Sequence, residues 1–246
     1  MEDEKRIAVL IDADNVSYKY IKFILDEIAT IGVPTYKRIY GDWTSARHAA
    51  WKEVLLDNSI MPIQQYSYTT GKNATDSALI IDAMDILYSG NVDGFCIVSS
   101  DSDFTRLAAR LREAGMLVIG MGEQKTPKAF VKACERFKYL EALSGVKIEE
   151  ETEKERNVPH TQEETELELK NLAAAIRKII IEVSDDDGWA FLGDVGNILA
   201  KRFPDFDTRN YGYSKLSKFL SSLKGFAIDS RPTSNPHITH KYIKIQ

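Results

Sequence analysis

The chain has 246 residues, 43% hydrophobic and 28% charged, with a formal net charge of −5. That length suits one large domain or two smaller ones with real cores. The charge is not that of a strongly basic polyanion binder, and it neither supports nor forbids RNA as a partner. Acidity is unevenly spread: residues 1–146 carry 17 basic and 20 acidic groups, 147–164 carry 3 and 7, and 165–246 carry 12 and 10. Cys96 and Cys134 form neither a metal-ligand spacing nor a disulfide framework. The N-terminus MEDEKRIAVL has no signal-length apolar stretch, and no segment reaches the roughly 20 apolar residues of a membrane span. The expectation is a reduced, cytoplasmic protein without a membrane role.

In chain order, IAVLI (7–11) is a continuous apolar run, as in a strand covered on both faces. Apolar residues at helical spacing fill 16–31, and Gly32 and Pro34 stop them. TYKRIY (35–40) reads as a strand, 45–56 as a helix and IMPIQQY (60–66) as a weaker strand. Residues 75–88 read as a helix, 95–99 as a strand, 102–114 as a helix and 116–120 as a strand. Thr126-Pro127 is an N-cap and first-turn pair, predicting a helix over 127–137. Repeated strand–helix–strand units imply an α/β fold: a parallel sheet with helices on both faces and right-handed crossovers.

Residues 143–165 are charged and poor in large apolar side chains, so they read as a linker between a domain at 1–142 and one at 166–246. The segment 166–183 is strongly helical and DDDG ends it. A helix from about Leu192, the PDFDTRNYG turn, a helix over 213–223 and two strand-like ends follow. That order resembles a small winged helix-turn-helix.

Chemistry gathers on aspartates. In parallel sheets ligands collect outside the carboxyl ends of the strands. Asp12 directly follows the first strand and Asp101 the fourth, so adjacent strands would bring both to one crevice. Asp103 lies two residues beyond Asp101, and Asp76 opens an apolar helix. Each has an ordinary alternative, since aspartate and asparagine cap helices and favour the positive end of the helix dipole. That alternative covers Asp14, competes evenly for Asn15 and is weakest for Asp12. Asp82 lies about 120° around its helix from Asp76 and is left as a structural or supporting residue. Converging carboxylates repel unless a cation sits between them, and hard oxygen donors favour Mg²⁺ or Mn²⁺. Without a nucleophilic serine or cysteine, such a site points to phosphodiester cleavage by activated water.

IDADN, RIYGDW (38–43), GKNATDSALIIDAM (71–84) and IVSSDSDFTRLAARLREAGMLVIGMG (97–122), in that order over residues 5–142, resemble the NYN domain, a branch of the PIN-like ribonucleases. The resemblance implies Asp12, Asp76, Asp101 and Asp103 as metal-binding, catalytic acids with Asn15 as a polar assistant, and one or two Mg²⁺ or Mn²⁺ ions activating water. Ser100 departs from the pattern, because many relatives carry glycine before the acidic pair. GWAFLGDVGNILAKRFPDFDTRNYGYSKLSKFLSSLKGFAI resembles the OST-HTH, or LOTUS, domain, with Trp189 and Phe206 as packing residues and Gly212 at a turn. That family implies binding of RNA, guanine-rich or structured as well as single-stranded, and, in some members, protein binding, so a homodimer or a protein partner through this module stays open.

Around the crevice, Arg38, Trp43, Arg47 and Lys72 lie on loops or strand ends, and Lys125 and Lys128 line a helix start that favours phosphate. Trp43 is equally a base-stacking platform or an ordinary packed tryptophan. Lys132 reads as solvated, and Met84 and Met121 as core. Lys201, Arg202, Arg209, Lys215 and Lys218 offer a phosphate-contacting face on the C-terminal module. The expectation is a metal-dependent ribonuclease, an endonuclease, with an RNA-targeting tail. Its rivals are an RNA-binding adaptor with an idle site and an aspartyl-phosphate phosphatase, from which Asn15 and YGDW point away.

Overall fold

The structure, a computed structural model, describes residues 4–66, 74–144, 162–232 and 239–246, with side chains from 167 in the third stretch and from 75 in the second. It divides into two compact units, Met1–Ile148 and Glu149–Gln246. No helix among the described residues is long and apolar enough to cross a membrane.

The first unit is a six-stranded sheet in the order β3-β2-β1-β4-β5-β6, parallel throughout. Its strands are β1 (Arg6–Asp12), β2 (Val33–Gly41), β3 (Met61–Gln64), β4 (Gly94–Val98), β5 (Leu117–Gly122) and β6 (Arg136–Tyr139). Among the described residues six α-helices cover it: α1 (Ile21–Ala29), α2 (Trp51–Asp57), α3 (Ala74–Ser89), α4 (Thr105–Glu113), α5 (Lys128–Ala133) and α6 (Leu140–Ser144).

The continuous apolar run of β1 is explained by burial on both faces. Ile7, Val9 and Ile11 join a core with Ile21, Ile24 and Ile28 of α1, Trp51 and Leu55 of α2, and Leu140 of α6. Ala8 and Leu10 enter the opposite core with Leu79 and Ala83 of α3, Leu107 and Leu111 of α4, and Phe130 of α5. A helix following a parallel strand begins at the carboxyl edge of the sheet and runs back along it. The first turn of α3 is therefore delivered to the edge where β1 and β4 end.

The expectation of one helix over 127–137 is corrected. The helix stops at Ala133, and Arg136–Tyr139 pairs with Ile119–Gly122 as edge strand β6. Phe137, fully buried, belongs to the helix-covered core with Phe130. Thr126 does not cap α5 through its side chain: its hydroxyl donates to the Glu123 carbonyl, and Pro127 is the cap residue. Met121 is core and Met84 packs against core, as expected.

The second unit holds α7 (Gln162–Val183), β7 (Ala190–Phe191), α8 (Leu192–Arg202), α9 (Leu216–Ser222), β8 (Phe226–Pro232) and β9 (Thr239–Ile245). Its antiparallel sheet has the order β7-β9-β8. Ile176, Ile179 and Ile180 of α7, Val195 and Leu199 of α8, Phe219 and Leu220 of α9, and Ile243 of β9 form its core. Gly212 closes the turn before α9 at φ 79°, the left-handed region that favours glycine. This is the expected winged helix-turn-helix. Most of the stretch read as a linker, residues 145–161, lies outside the described residues.

Candidate metal centre

The strand order reverses at β1 and β4, and that pair is where an open α/β sheet leaves its crevice. Ile11 pairs with Val98, so Asp12 ends β1 beside Ser99. Asp12 is fully buried, and its carboxylate collects three donors. Its Oδ1 accepts the Asp14 amide at 3.0 Å, and its Oδ2 accepts Asn15 Nδ2 and Ser99 Oγ, each at 2.8 Å. Burial raises its pKa against the lowering effect of those hydrogen bonds. Asn15 thus holds the Asp12 carboxylate in place.

The other three acids converge. One carboxylate oxygen from each of Asp76, Asp101 and Asp103 lies within 4.8 Å of the others. Asp101 Oδ1 accepts the Asp103 amide at 2.9 Å, which closes the turn into the short 3-10 helix Ser102–Phe104. The capping role and the clustering of Asp101 therefore coexist. Asp76, in the first turn of α3, has its pKa pushed up to about 6, first by burial and then by Asp12, Asp101, Asp103 and Asp14. Asp12 lies outside the trio yet is the strongest of those electrostatic neighbours, so the four acids share one field.

Two supporting residues escaped sequence reasoning. Ser99 donates to Asp12 Oδ2 and accepts the Asp101 amide at 3.0 Å, joining the ends of β1 and β4 through one hydroxyl. The signal lay in strand register, visible once β1 and β4 are known to pair. His48, nearly fully buried, receives its place from Asp42, whose carbonyl lies 3.0 Å from Nδ1; its Nε2 sits 3.3 Å from Asp14 Oδ1. That second approach is close enough for an ion pair but lacks hydrogen-bond geometry. Ser100 takes the place of glycine without backbone strain, since Ser59 is the one non-glycine residue with positive φ among the described residues. Its hydroxyl accepts the Glu123 amide at 2.9 Å. Gly122 lets β5 approach: a Cβ there would lie 2.6 Å from the Ser99 carbonyl oxygen.

The basic and aromatic residues are differently placed. Arg38 and the Tyr40 hydroxyl both bond Asp82, with Arg38 also over the Tyr36 ring at 5.1 Å. Arg38 is thereby tied into a β2–α3 bridge, and Asp82 faces the sheet and not the acidic trio. Trp43 packs against core, its indole N–H donating to the Ile63 carbonyl at 3.0 Å. Arg47 is largely exposed, 3.7 Å from Asp14. Lys125 pairs with Glu123 at 2.7 Å, and Lys128 and Lys132 are exposed on α5. Lys72 lies outside the described residues.

The family model "NYN domain" matches residues 6–141. The chain belongs to the NYN domain family. Its C-terminal part carries an OST-HTH/LOTUS domain, matched over 167–238. A solved protein of unknown function from Vibrio parahaemolyticus is 19% identical, covering 56% of this chain and 93% of that one with a TM-score of 0.46. A solved fragment (residues 175–257) of a Chromobacterium violaceum protein is 34% identical, covering 30% and 78% with a TM-score of 0.25. An uncharacterised Nitrosomonas europaea protein is 30% identical, covering 41% and 91% with a TM-score of 0.27. No curated protein matches the chain.

NYN domains have a PIN-like nuclease fold and usually use divalent metals, and OST-HTH/LOTUS domains bind RNA. The donor set fits such an ion: clustered carboxylate oxygens, at least one with its proton affinity raised by burial and then by its acidic neighbours. Ser99→Ala offers a test of the support beneath these acids. It should weaken Mn²⁺ binding by about 10- to 100-fold, read by titration calorimetry, because it frees both Asp12 and the Asp101 turn. Wild-type affinity in that variant would show that the hydroxyl orients nothing.

Proposed function

We propose that this NYN protein is a divalent-metal-dependent ribonuclease, with a catalytic domain at 1–142, a charged linker at 143–165 and an RNA-targeting module at 166–246. The observation that carries the reading is the meeting of Asp76, Asp101 and Asp103 within 4.8 Å at the strand-order switch point, with buried Asp12 in the same field. Asp76, Asp101 and Asp103 would hold Mg²⁺ or Mn²⁺, with Asp12 completing the negative field. When bound, the ion supplies an acidified water and neutralises charge on the scissile phosphate. Asn15 and Ser99 keep Asp12 oriented, and the Asp103 amide keeps Asp101 oriented. Four carboxylates give up to about −4 of charge, so the crevice itself repels phosphate until a cation is present. Cleavage is assigned as endonucleolytic, in a cytoplasmic setting.

The direct test incubates the full chain with single-stranded and structured RNAs in Mn²⁺, Mg²⁺ or chelator. Cleavage in metal and none in chelator is the expected result. Hydrolysis of a small phosphomonoester with intact RNA would replace the reading with a phosphatase, and RNA binding without cleavage would replace it with an adaptor.

The raised pKa of Asp76 adds a signed pH dependence. Below pH 6 the carboxyl is increasingly protonated, and a cation must displace that proton. Mn²⁺ affinity should therefore rise roughly tenfold per pH unit up to about 6 and flatten above it. Without metal, ionising Asp76 costs folding stability as pH rises from the unfolded value of 3.8 toward 6. Calorimetric titration from pH 5 to 7.5 reads the first effect. An affinity independent of pH would remove Asp76 from the ligand set.

A further inference from the structure

The solvent side of the C-terminal sheet does not have the composition of an ordinary wet face. An antiparallel sheet with one side on a core normally turns polar residues outward. Here Ala190, Ile243 and Phe226 point to the core. The alternate positions place Phe191 opposite Tyr242, Tyr242 opposite Asp229, and His240 opposite Arg231. The rings touch one another: Phe191 lies 5.1 Å from His240 and 5.8 Å from Tyr242. Cations sit over them. Arg231 is 4.3 Å from the Tyr242 ring and 5.2 Å from Trp189, and Lys244 is 6.0 Å from Trp189. Trp189 thus packs, as the sequence suggested, but against cations on the outer face. Phe191 remains 36% exposed, so part of this ring cluster is open to a ligand.

The charges say which ligand. Among the described outward-facing residues of β7, β8 and β9 the acid is Asp229, and Arg231 holds it at 3.0 Å. Lys244 spends one donor on the Asp187 carbonyl at 2.7 Å, which fixes the ammonium beside the indole. Aromatic faces interleaved with fixed cations suit stacked bases whose phosphates lie alongside. The helical cations expected to bind RNA are partly engaged elsewhere, Arg202 with Glu182 and Arg209 with Asp207.

We propose that this outer sheet face, centred on Phe191 and Tyr242, docks unpaired RNA by base stacking. The inference rests on reading the C-terminal module as the RNA-targeting part. It names the surface and the single-stranded form of the ligand.

The test uses the full chain with chelator present, so that nothing is cut, and a fluorescein-labelled unstructured oligoribonucleotide followed by anisotropy. Phe191→Ala and Tyr242→Ala should each weaken binding by about 5- to 150-fold, while Phe191→Tyr and Tyr242→Phe retain it. Thermal melting confirms that the variants fold. The comparator is the double variant Lys215→Ala/Lys218→Ala. Undiminished affinity in both alanine variants overturns the proposal, as does equal loss in the aromatic-for-aromatic variants. If only the lysine variant loses affinity, the module binds RNA through its helices: the surface assignment fails while the targeting role stands. If the wild-type chain binds no RNA, the targeting role itself falls and takes the proposal with it, leaving the face to a protein partner.

Discussion

Asp101→Asn is expected to lower Mn²⁺-dependent RNA cleavage by at least about a hundredfold while the protein melts within a few degrees of wild type. The substitution keeps Oδ1, so the turn-closing bond from the Asp103 amide survives, and it removes only charge from the trio. Asp12→Asn should behave alike for a different reason. Burial raises the Asp12 pKa, so its ionised form costs folding free energy that a neutral amide does not. Asn15 and Ser99 can turn to satisfy the amide. Cleavage should fall, and stability should hold or rise. Time-course gels on a labelled RNA, with melting curves beside them, separate the two readouts. Wild-type cutting by either variant would take that acid out of the mechanism.

Asp82→Ala is expected to destabilise the first unit by about 3–5 kcal/mol. Arg38 and Asp82 are only 24% and 21% exposed, so removing the carboxylate leaves a guanidinium largely out of water without its partner. The Tyr40 hydroxyl, in a fully buried residue, loses its acceptor as well. A loss of that size should lower the melting temperature by roughly 10 °C in a domain of this length. The double variant Arg38→Ala/Asp82→Ala should be less destabilised than the sum of the single changes, because removing both ions leaves no stranded charge. Denaturant unfolding of all three variants checks this. A single-variant loss under about 1 kcal/mol would mean that the bridge is solvated and weak. The same bridge fixes the rotation of α3, and Asp76 lies six residues before Asp82 on that helix.

The ends of the sheet and the centre of the site were unequally legible in the sequence. The buried strands β1, β4 and β5 announce themselves because burial on both faces requires unbroken apolar runs. Strand β6 does not, because an edge strand of four residues needs only Phe137 inside, and RFKY carries no pattern against a helix signal from Thr126-Pro127. The two-residue β7 is shorter than any periodicity can register. The aspartates could be named from their positions at strand ends, yet their meeting depended on β1 lying beside β4, a fact of topology. Ser99 was illegible for that reason: a serine in a polar run acquires its role only from the strand next to it. Helical geometry, by contrast, already separated Asp82 from Asp76. Arg38 was assigned to RNA because a strand-end cation looks available, and only the fold shows that Asp82 engages it.

The Ser99–Asp12 hydrogen bond joins residues 87 positions apart. Strand β1 therefore waits through about a third of the chain's synthesis with one flank unpaired, since its β4 neighbour emerges more than 80 residues later. Closing so long a loop is slow relative to forming local helices, and it places this unit among slow folders. An amino-terminal fragment ending before β4 holds Asp12 and Asp76 but neither Asp101 nor Ser99, which joins Asp12 to the Asp101 turn. The acidic crevice is consequently incomplete until β4 and the turn after it have been made and lie beside β1.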